Sequence, residues 1–129
     1  MGRRGRSKFG GEGHAFFVTT TVVDFARLFS CGSQYYDILV SSLDYVLKEH
    51  QALLRAYVFM PSHVHLVLEM PQGQGISDLM RDFKKFTSTK VRQQLQREEK
   101  SDLLQVLRRN ARGKKNQLFK LWMTGLTTW

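Results

Sequence analysis

Residues 60–70 read Met60-Pro61-Ser62-His63-Val64-His65-Leu66-Val67-Leu68-Glu69-Met70, an alternating stretch that is entered through a Pro-Ser turn. Successive side chains of a strand point to opposite faces of a sheet. The alternation therefore predicts a strand with one wholly apolar face, formed by Val64, Leu66, Leu68 and Met70. The other face carries His63 and His65, whose positions on a strand lie roughly 7 Å apart. We expect a core strand that presents two imidazoles outward.

The two imidazoles are candidate metal ligands. Side chains at this spacing can converge on one ion, imidazole suits transition metals, and a nearby carboxylate would also suit Mg or Mn. Glu69 lies on the same face and is interpreted as a solvated residue at the strand end. On residue chemistry alone, two solvent-facing histidines without a metal are the commoner arrangement.

The segments around this strand predict further strands and helices. Runs rich in β-branched and aromatic residues predict strands over 15–23, 54–60 and 118–123. Apolar residues at three-and-four spacing predict helices over 33–49 and 77–95, with a short helix over 101–109. This order predicts an α+β, ferredoxin-like split-βαβ fold, in which helices pack on one face of a four-stranded antiparallel sheet.

Length and composition predict one folded domain after a short arm. Residues 1–14 are rich in glycine and arginine and are interpreted as a flexible basic arm, and 15–129 as a single domain. No apolar run approaches the ~20 residues that span a bilayer, and the N-terminus lacks the apolar segment of a signal peptide. The lone Cys31 cannot form an internal disulfide. A cytoplasmic protein without a membrane partner is the expectation.

The net charge of +9 is unevenly distributed. Residues 1–80 contain seven Lys/Arg and seven Asp/Glu, whereas 81–129 contain thirteen Lys/Arg and four Asp/Glu. Such asymmetry favours a polyanionic partner, because binding phosphates releases counterions. A basic surface that is only solvated is the alternative. The candidate DNA contacts are the basic residues after the histidines: Arg81, Lys84, Lys85, Lys90, Arg92, Arg108, Arg109, Arg112, Lys114 and Lys115.

The Met-Pro-Ser-His-Val-His-Leu sequence at 60–66 resembles the HUH motif (His, hydrophobic residue, His) of single-tyrosine transposases. These are the small insertion-sequence transposases and the REP-associated tyrosine transposases. Residues 16–21, 79–87 and 121–126 match in order, so the resemblance covers most of 16–126. It implies the same fold with the histidine pair on a central strand. It also implies a DNA transposase that binds single-stranded or hairpin DNA and acts as a homodimer, as its relatives do.

The resemblance also implies a chemistry. A divalent ion, Mg or Mn, held by His63 and His65 would polarise the scissile phosphate. A tyrosine oxygen would attack, and the 5′-phosphotyrosine would keep the energy needed to rejoin the DNA. In the family that tyrosine, with a third metal ligand, lies on a helix after the closing strand. Here the four tyrosines, Tyr35, Tyr36, Tyr45 and Tyr57, all precede the motif. The chain is therefore expected to lack the nucleophile and to be inactive or impaired.

Two other functions stay open. A non-catalytic DNA- or RNA-binding remnant or regulator on the same fold would need no metal. RNA-binding proteins of that fold display aromatic residues on the exposed face of the sheet; here either Phe16 with Val18 or Phe17 with Thr19 could face outward. A metal-dependent hydrolase that uses Glu69 beside the histidines is weaker, because it would lack the third and fourth ligands of such sites.

Overall fold

The computed structural model describes residues 14–112 and 117–125, together with the backbone of 127–128. The proposed arm, up to residue 13, and the candidate contacts Lys114 and Lys115 lie outside the described residues. The elements in chain order are β1 (His14–Thr21), two 3-10 turns (Val23–Phe25 and Leu28–Cys31), α1 (Ser33–Glu49), β2 (Leu53–Phe59), β3 (His63–Met70), α2 (Ser77–Arg97), α3 (Ser101–Asn110) and β4 (Thr127–Thr128).

The strand with the two histidines lies at the centre of an antiparallel sheet. The strand order is β2-β3-β1-β4. β3 pairs with β1 over its whole length, from Met70 opposite His14 to His63 opposite Thr21. On its other side β3 pairs with β2, with one irregularity between Leu54 and Ala56. The expected α+β architecture with an antiparallel sheet is confirmed.

The predicted four-stranded sheet is found only in part, because the prediction of a closing strand over 118–123 is wrong. Three long strands form, and the fourth position is held by the two-residue β4, which pairs with β1. Within the described part of 118–123, the sole ladder contact is an isolated bridge between Trp122 and Val22. The backbone of this segment bonds instead to the end of β1, to the turn after it and to α3: Met123 N–H to the Thr21 carbonyl, Val23 N–H to the Leu121 carbonyl, and Lys120 N–H to the Leu107 carbonyl.

The apolar face of β3 forms the core, as its alternation predicted. Its four core side chains, from Val64 to Met70, are at most 2% exposed. Helices α1 and α2 pack against each other and cover this face with their buried stripes: Leu39, Leu43 and Val46 of α1, and Leu79, Phe83, Val91 and Leu95 of α2. Burying one large apolar side chain is worth about 1.5–3 kcal/mol, so this layer supplies much of the stability. The opposite face of the sheet carries the imidazoles.

The side chain of Trp122 packs segment 117–125 against the core. The indole is 3% exposed, and its ring centroid lies 5.7 Å from that of Phe29 and 6.1 Å from that of Phe83. Its Nε1–H donates to Thr87 Oγ1 at 2.8 Å. The apolar surface of the indole is therefore packed in the core, and its N–H group has a hydrogen-bond partner.

Among the described helices, none has the length and the apolar character that a membrane-spanning segment needs.

Glu98, directly after α2, joins the ends of α1 and α2. Its carboxylate accepts hydrogen bonds from Gln94 Nε2 at 2.5 Å, Gln34 Nε2 at 2.7 Å and the Tyr35 hydroxyl at 2.9 Å. The bond from Gln94, followed by that from Gln34, lowers the pKa of Glu98 below its ordinary value of 4.5. Burial and the neighbouring carboxylate raise the pKa of Tyr35. The link depends on the ionised form of Glu98.

We expect Glu98→Gln to make the fold less sensitive to acid. Because the folded-state pKa of Glu98 is lowered, its carboxylate stabilises the fold fully above about pH 4.5, and this contribution is lost as the pH falls through the folded-state pKa. Thermal melts between about pH 7 and pH 3 should show a steeper fall in Tm for the wild type than for Glu98→Gln. Asp44→Asn is the matched control, since Asp44 forms an exposed pair with Lys48. Parallel Tm curves for the wild type and Glu98→Gln would contradict the expectation.

Candidate functional site

Strand β3 places His63 and His65 side by side on the open face of the sheet. Both residues are partly buried. The centroids of the two imidazole rings are 4.8 Å apart, and the ring planes stand at 90°. The outward placement predicted from the alternation is confirmed. At this separation one nitrogen of each ring can reach the same ion, so the geometry fits a shared ligand role, which remains a prediction.

A hydroxyl group orients each imidazole. His65 Nδ1 lies 2.9 Å from Thr19 Oγ1, and His63 Nδ1 lies 3.1 Å from Ser62 Oγ. When Nδ1 carries the proton and donates it to the hydroxyl oxygen, Nε2 presents a free lone pair. Metal-binding histidines are typically fixed in this way by a second partner. Sequence reasoning missed Thr19 and Ser62 in this role, because it depends on the register of β1 with β3 and on the turn before β3.

Glu69 does not join the imidazoles. Its Oε1 lies 2.8 Å from Nη2 and 3.0 Å from Nε of Arg55, so its carboxylate is held in an ion pair. Among the residues that the structure describes, no group of three or more His, Cys, Asp or Glu side chains comes together as a metal site. The described chain thus offers two nitrogen ligands, which fit a divalent ion that completes its shell with water or phosphate oxygens. The hydrolase alternative therefore loses Glu69, the carboxylate that it placed beside the histidines.

The side chains of the four tyrosines point to the helix side of the sheet, opposite to the imidazoles. Tyr35, Tyr36 and Tyr45 belong to α1, which covers the core face. The ring of Tyr57 on β2 lies 5.0 Å from that of Phe59, and Phe59 stacks on Tyr36 of α1. No tyrosine of this chain therefore faces the histidine pair. That the chain lacks the nucleophile of the reaction stays a prediction.

A basic groove of about 790 Å³ runs between α2 and segment 117–124. Four of the candidate DNA contacts line it on the α2 side: Arg81, Lys84, Lys85 and Arg92. The opposite wall adds Lys120 and Phe119, which the sequence pattern of this segment does not indicate as DNA contacts. The guanidinium groups of Arg92 and Arg108 lie 5.5 and 5.4 Å from the Phe119 ring centroid. These contacts bring Arg108 to the edge of the groove.

The candidate contacts differ in whether their charged groups are already bonded within the protein. Lys84 Nζ donates to the carbonyls of Met123 at 3.2 Å and Gly125 at 2.5 Å, and burial, with a smaller effect of the Lys120 charge, lowers its pKa. The ammonium group of Lys84 is therefore bonded to the backbone of segment 117–125. Arg109 is paired with Asp24 at 2.6 Å. The other two, Lys90 and Arg112, are exposed and do not line the groove.

Two solved structures resemble this fold. A REP-associated tyrosine transposase bound to a REP hairpin matches with a TM-score of 0.58 and 19% identity, over 92% of this chain and 56% of that chain. A chain from Deinococcus radiodurans R1 assigned as a transposase matches with a TM-score of 0.62 and 15% identity, over 91% of this chain and 78% of that chain. The chain thus spans little more than half the length of the first structure. At these identities the similarity shows a shared fold.

The family itself is shown by sequence. No curated protein matches the chain significantly. The sequence model of the family described as "Transposase IS200 like" matches residues 28–107, which is more than half of the chain and runs from the second 3-10 turn into α3. The matched range contains both imidazoles, and the match confirms the family that their motif indicated. The chain belongs to the IS200-like transposase family.

Proposed function

We propose that this chain is a transposase of the HUH single-tyrosine class that binds single-stranded or hairpin DNA, with Mg or Mn held by His63 and His65. The observation that carries the proposal is the pair of imidazoles 4.8 Å apart on the central strand. Membership of the family and the strand order β2-β3-β1-β4, which suits a split-βαβ arrangement, support it. A homodimer is part of the proposal by resemblance to the class.

The chain's own residues would prepare the site for the phosphate. The hydroxyl groups of Thr19 and Ser62 would fix the two rings through their Nδ1 atoms, which leaves both Nε2 atoms for an ion. A bound divalent ion would supply Lewis-acid polarisation of the scissile phosphate. Since the two protein ligands are nitrogens and Mg²⁺ prefers oxygen, Mn²⁺ is the better probe of the site.

The groove would hold the DNA backbone. Lys85 is exposed on α2, and Arg92 is held over Phe119, so both charges face the groove. Contacts from Lys and Arg to phosphates supply most of the sequence-independent affinity for DNA and make it sensitive to salt. The groove and the imidazoles are thus the two proposed contacts of the chain with DNA.

Cleavage and rejoining through a 5′-phosphotyrosine is proposed for the complete reaction of the class. None of the four tyrosines of this chain is placed to attack a phosphate at the imidazoles, because all lie on the helix side. We infer that the chain by itself binds DNA without forming the covalent intermediate. The alternative, a non-catalytic DNA- or RNA-binding remnant or regulator, shares the groove and differs in needing no metal.

We expect Lys85→Gln/Arg92→Gln to weaken binding of a fluorescent DNA hairpin with a single-stranded extension, measured by anisotropy over a range of salt concentrations. For each phosphate that is no longer neutralised, the plot of log K against log salt should become shallower by about 0.7–0.9. Lys48→Gln/Arg97→Gln removes the same charge outside the groove and is the matched control. Equal slopes for the two double variants would remove the groove from the proposal, and a wild type that binds no DNA would overturn it.

The same mixtures with Mn²⁺, run on a denaturing gel, test the inference about the tyrosines. We expect no protein–DNA band that survives denaturation. Such a band from this chain would show that one of its tyrosines reaches the scissile phosphate, and would contradict the placement of all four on the helix side.

A further inference from the structure

A shallow apolar pocket lies beside His65 on the open face of the sheet. Its volume is about 190 Å³. The three long strands each contribute side chains of the open face: Phe17 and Thr19 of β1, Ala56 and Val58 of β2, and His65 and Val67 of β3. In the register of the sheet, Phe17 is opposite Val67 and Thr19 is opposite His65. The pocket is therefore bordered by His65, and His63 does not line it.

Two large apolar side chains of this pocket are half exposed. The exposed fraction is 49% for Phe17 and 50% for Val58. Isolated exposed apolar residues are ordinary, but these two border one depression, to which the open face adds polar side chains from Thr19 and His65 alone. Its occupant should therefore be flat, apolar on its faces and polar at its edge.

We propose that this pocket receives one unstacked nucleobase of the single-stranded DNA whose phosphate lies at the imidazole pair, an inference that rests on the proposed function. Aromatic side chains on exposed sheet surfaces bind bases by stacking, and every base has a face that can stack. The volume is below the roughly 300–1,000 Å³ of pockets that enclose a whole ligand. It suits a single ring system that stays partly exposed.

The spacing connects the base to the phosphate. Positions on the same face of a strand are about 7 Å apart, and Phe17 is one such step from Thr19, the partner of His65. A base over Phe17 and a phosphate at His65 are thus within the reach of one nucleotide. The bound base would fix which phosphate meets the imidazoles, so Phe17 acts as a positioning residue for the strand.

The position of the pocket favours DNA over a second copy of the chain as the occupant. Two copies that met face to face through this pocket would cover both imidazole pairs, which the proposed function needs open to a phosphate. The pocket is lined by apolar and uncharged polar side chains, and His65 borders it. A base of a strand whose phosphate lies at the imidazoles fits both features.

The test compares a short oligothymidine with an abasic oligomer of the same length, which carries the same phosphates without bases. We expect the wild type to bind oligothymidine about 5- to 150-fold more tightly, as one base stacked on an aromatic residue would give. Phe17→Leu should lose most of this preference, and Phe17→Tyr, which keeps the ring, should restore it. Tyr45→Leu alters an equally exposed aromatic residue on α1 and should keep the preference.

The outcomes separate the inference from the proposed function. Equal binding of the two oligomers by the wild type, or an unchanged preference in Phe17→Leu, would overturn the base pocket and leave DNA binding intact. A wild type that binds neither oligomer would overturn the proposed function, and the base pocket with it. Loss of preference in Tyr45→Leu to the same degree as in Phe17→Leu would show a general effect of stability and would also overturn the assignment.

Discussion

The double variant His63→Ala/His65→Ala is expected to lose Mn²⁺ binding in titration calorimetry, whereas the wild type binds the ion. The reason is that these two imidazoles are the only nitrogen pair of the described chain that converges on the open face, with ring centroids 4.8 Å apart. Removing both leaves no ligand in place, because the nearby Glu69 is held by Arg55. Each single variant should keep weak binding, since one imidazole and water still reach the ion. Mn²⁺ binding by the double variant at wild-type affinity would contradict the assignment.

Two further variants separate ligation from general effects. His50→Gln removes a histidine whose Nε2 is bonded to Asp82 Oδ2 at 2.8 Å, at the end of α1, and should leave Mn²⁺ affinity unchanged. Thr19→Val removes the hydroxyl that orients His65. Loss of such a second partner typically weakens metal affinity by about 10–100-fold. An unchanged affinity in Thr19→Val would show that the ring of His65 is held by packing alone.

Trp122→Ala is expected to lower the free energy of unfolding by about 3–5 kcal/mol, the usual cost of truncating a large buried aromatic residue. The indole is 3% exposed, contacts Phe29 and Phe83, and donates to Thr87. Its removal leaves a cavity between α2 and the end of β1. Urea denaturation followed by far-UV circular dichroism would measure the change, with the m-value as a check that unfolding stays cooperative.

The same segment offers the control. Leu118 is 78% exposed, so Leu118→Ala should change stability by no more than about 0.5 kcal/mol. Trp122→Phe should lie between the two, because it keeps most of the ring packing but cannot donate to Thr87. If Trp122→Ala lowers the free energy of unfolding by no more than Leu118→Ala does, packing of the indole does not hold the segment against the core.

The part of the fold that could be predicted from sequence is the part set by local periodicity. Alternation over 63–70 and the three-and-four spacing of α1 and α2 identified the core face and the helix layer. The prediction of a closing strand was wrong because a short apolar run such as 118–123 is compatible both with strand pairing and with burial outside a sheet. Here Trp122 is buried among side chains of α2 and the 3-10 turn, and the backbone bonds sideways to α3 and β1.

The residue types of the candidate site could be predicted from the sequence, but the hydrogen-bond and ion-pair partners of those residues could not. Charge counting identified a basic α2, but it could not show that Lys84 is bonded to two distant carbonyls or that Arg109 is paired with Asp24. Alternation left open whether Phe16 or Phe17 faces outward. The pairing of β1 with β3 decides this: Phe17 is on the open face opposite Val67, and Phe16 packs against the core. Such facts arise from contacts between residues far apart in sequence.

The central position of β3 bears on how the imidazoles respond to thermal motion. Its backbone is bonded to β1 on one side and β2 on the other, so exposing it requires both neighbours to separate. Elements of this kind open only with the whole domain, while ends and loops open on their own. The two rings are therefore held by a rigid strand, so that binding an ion there costs little conformational entropy. Since unfolding would separate the rings, an ion bound to both would raise the free energy of unfolding of the whole domain, and the increase would grow with the affinity and the concentration of the ion.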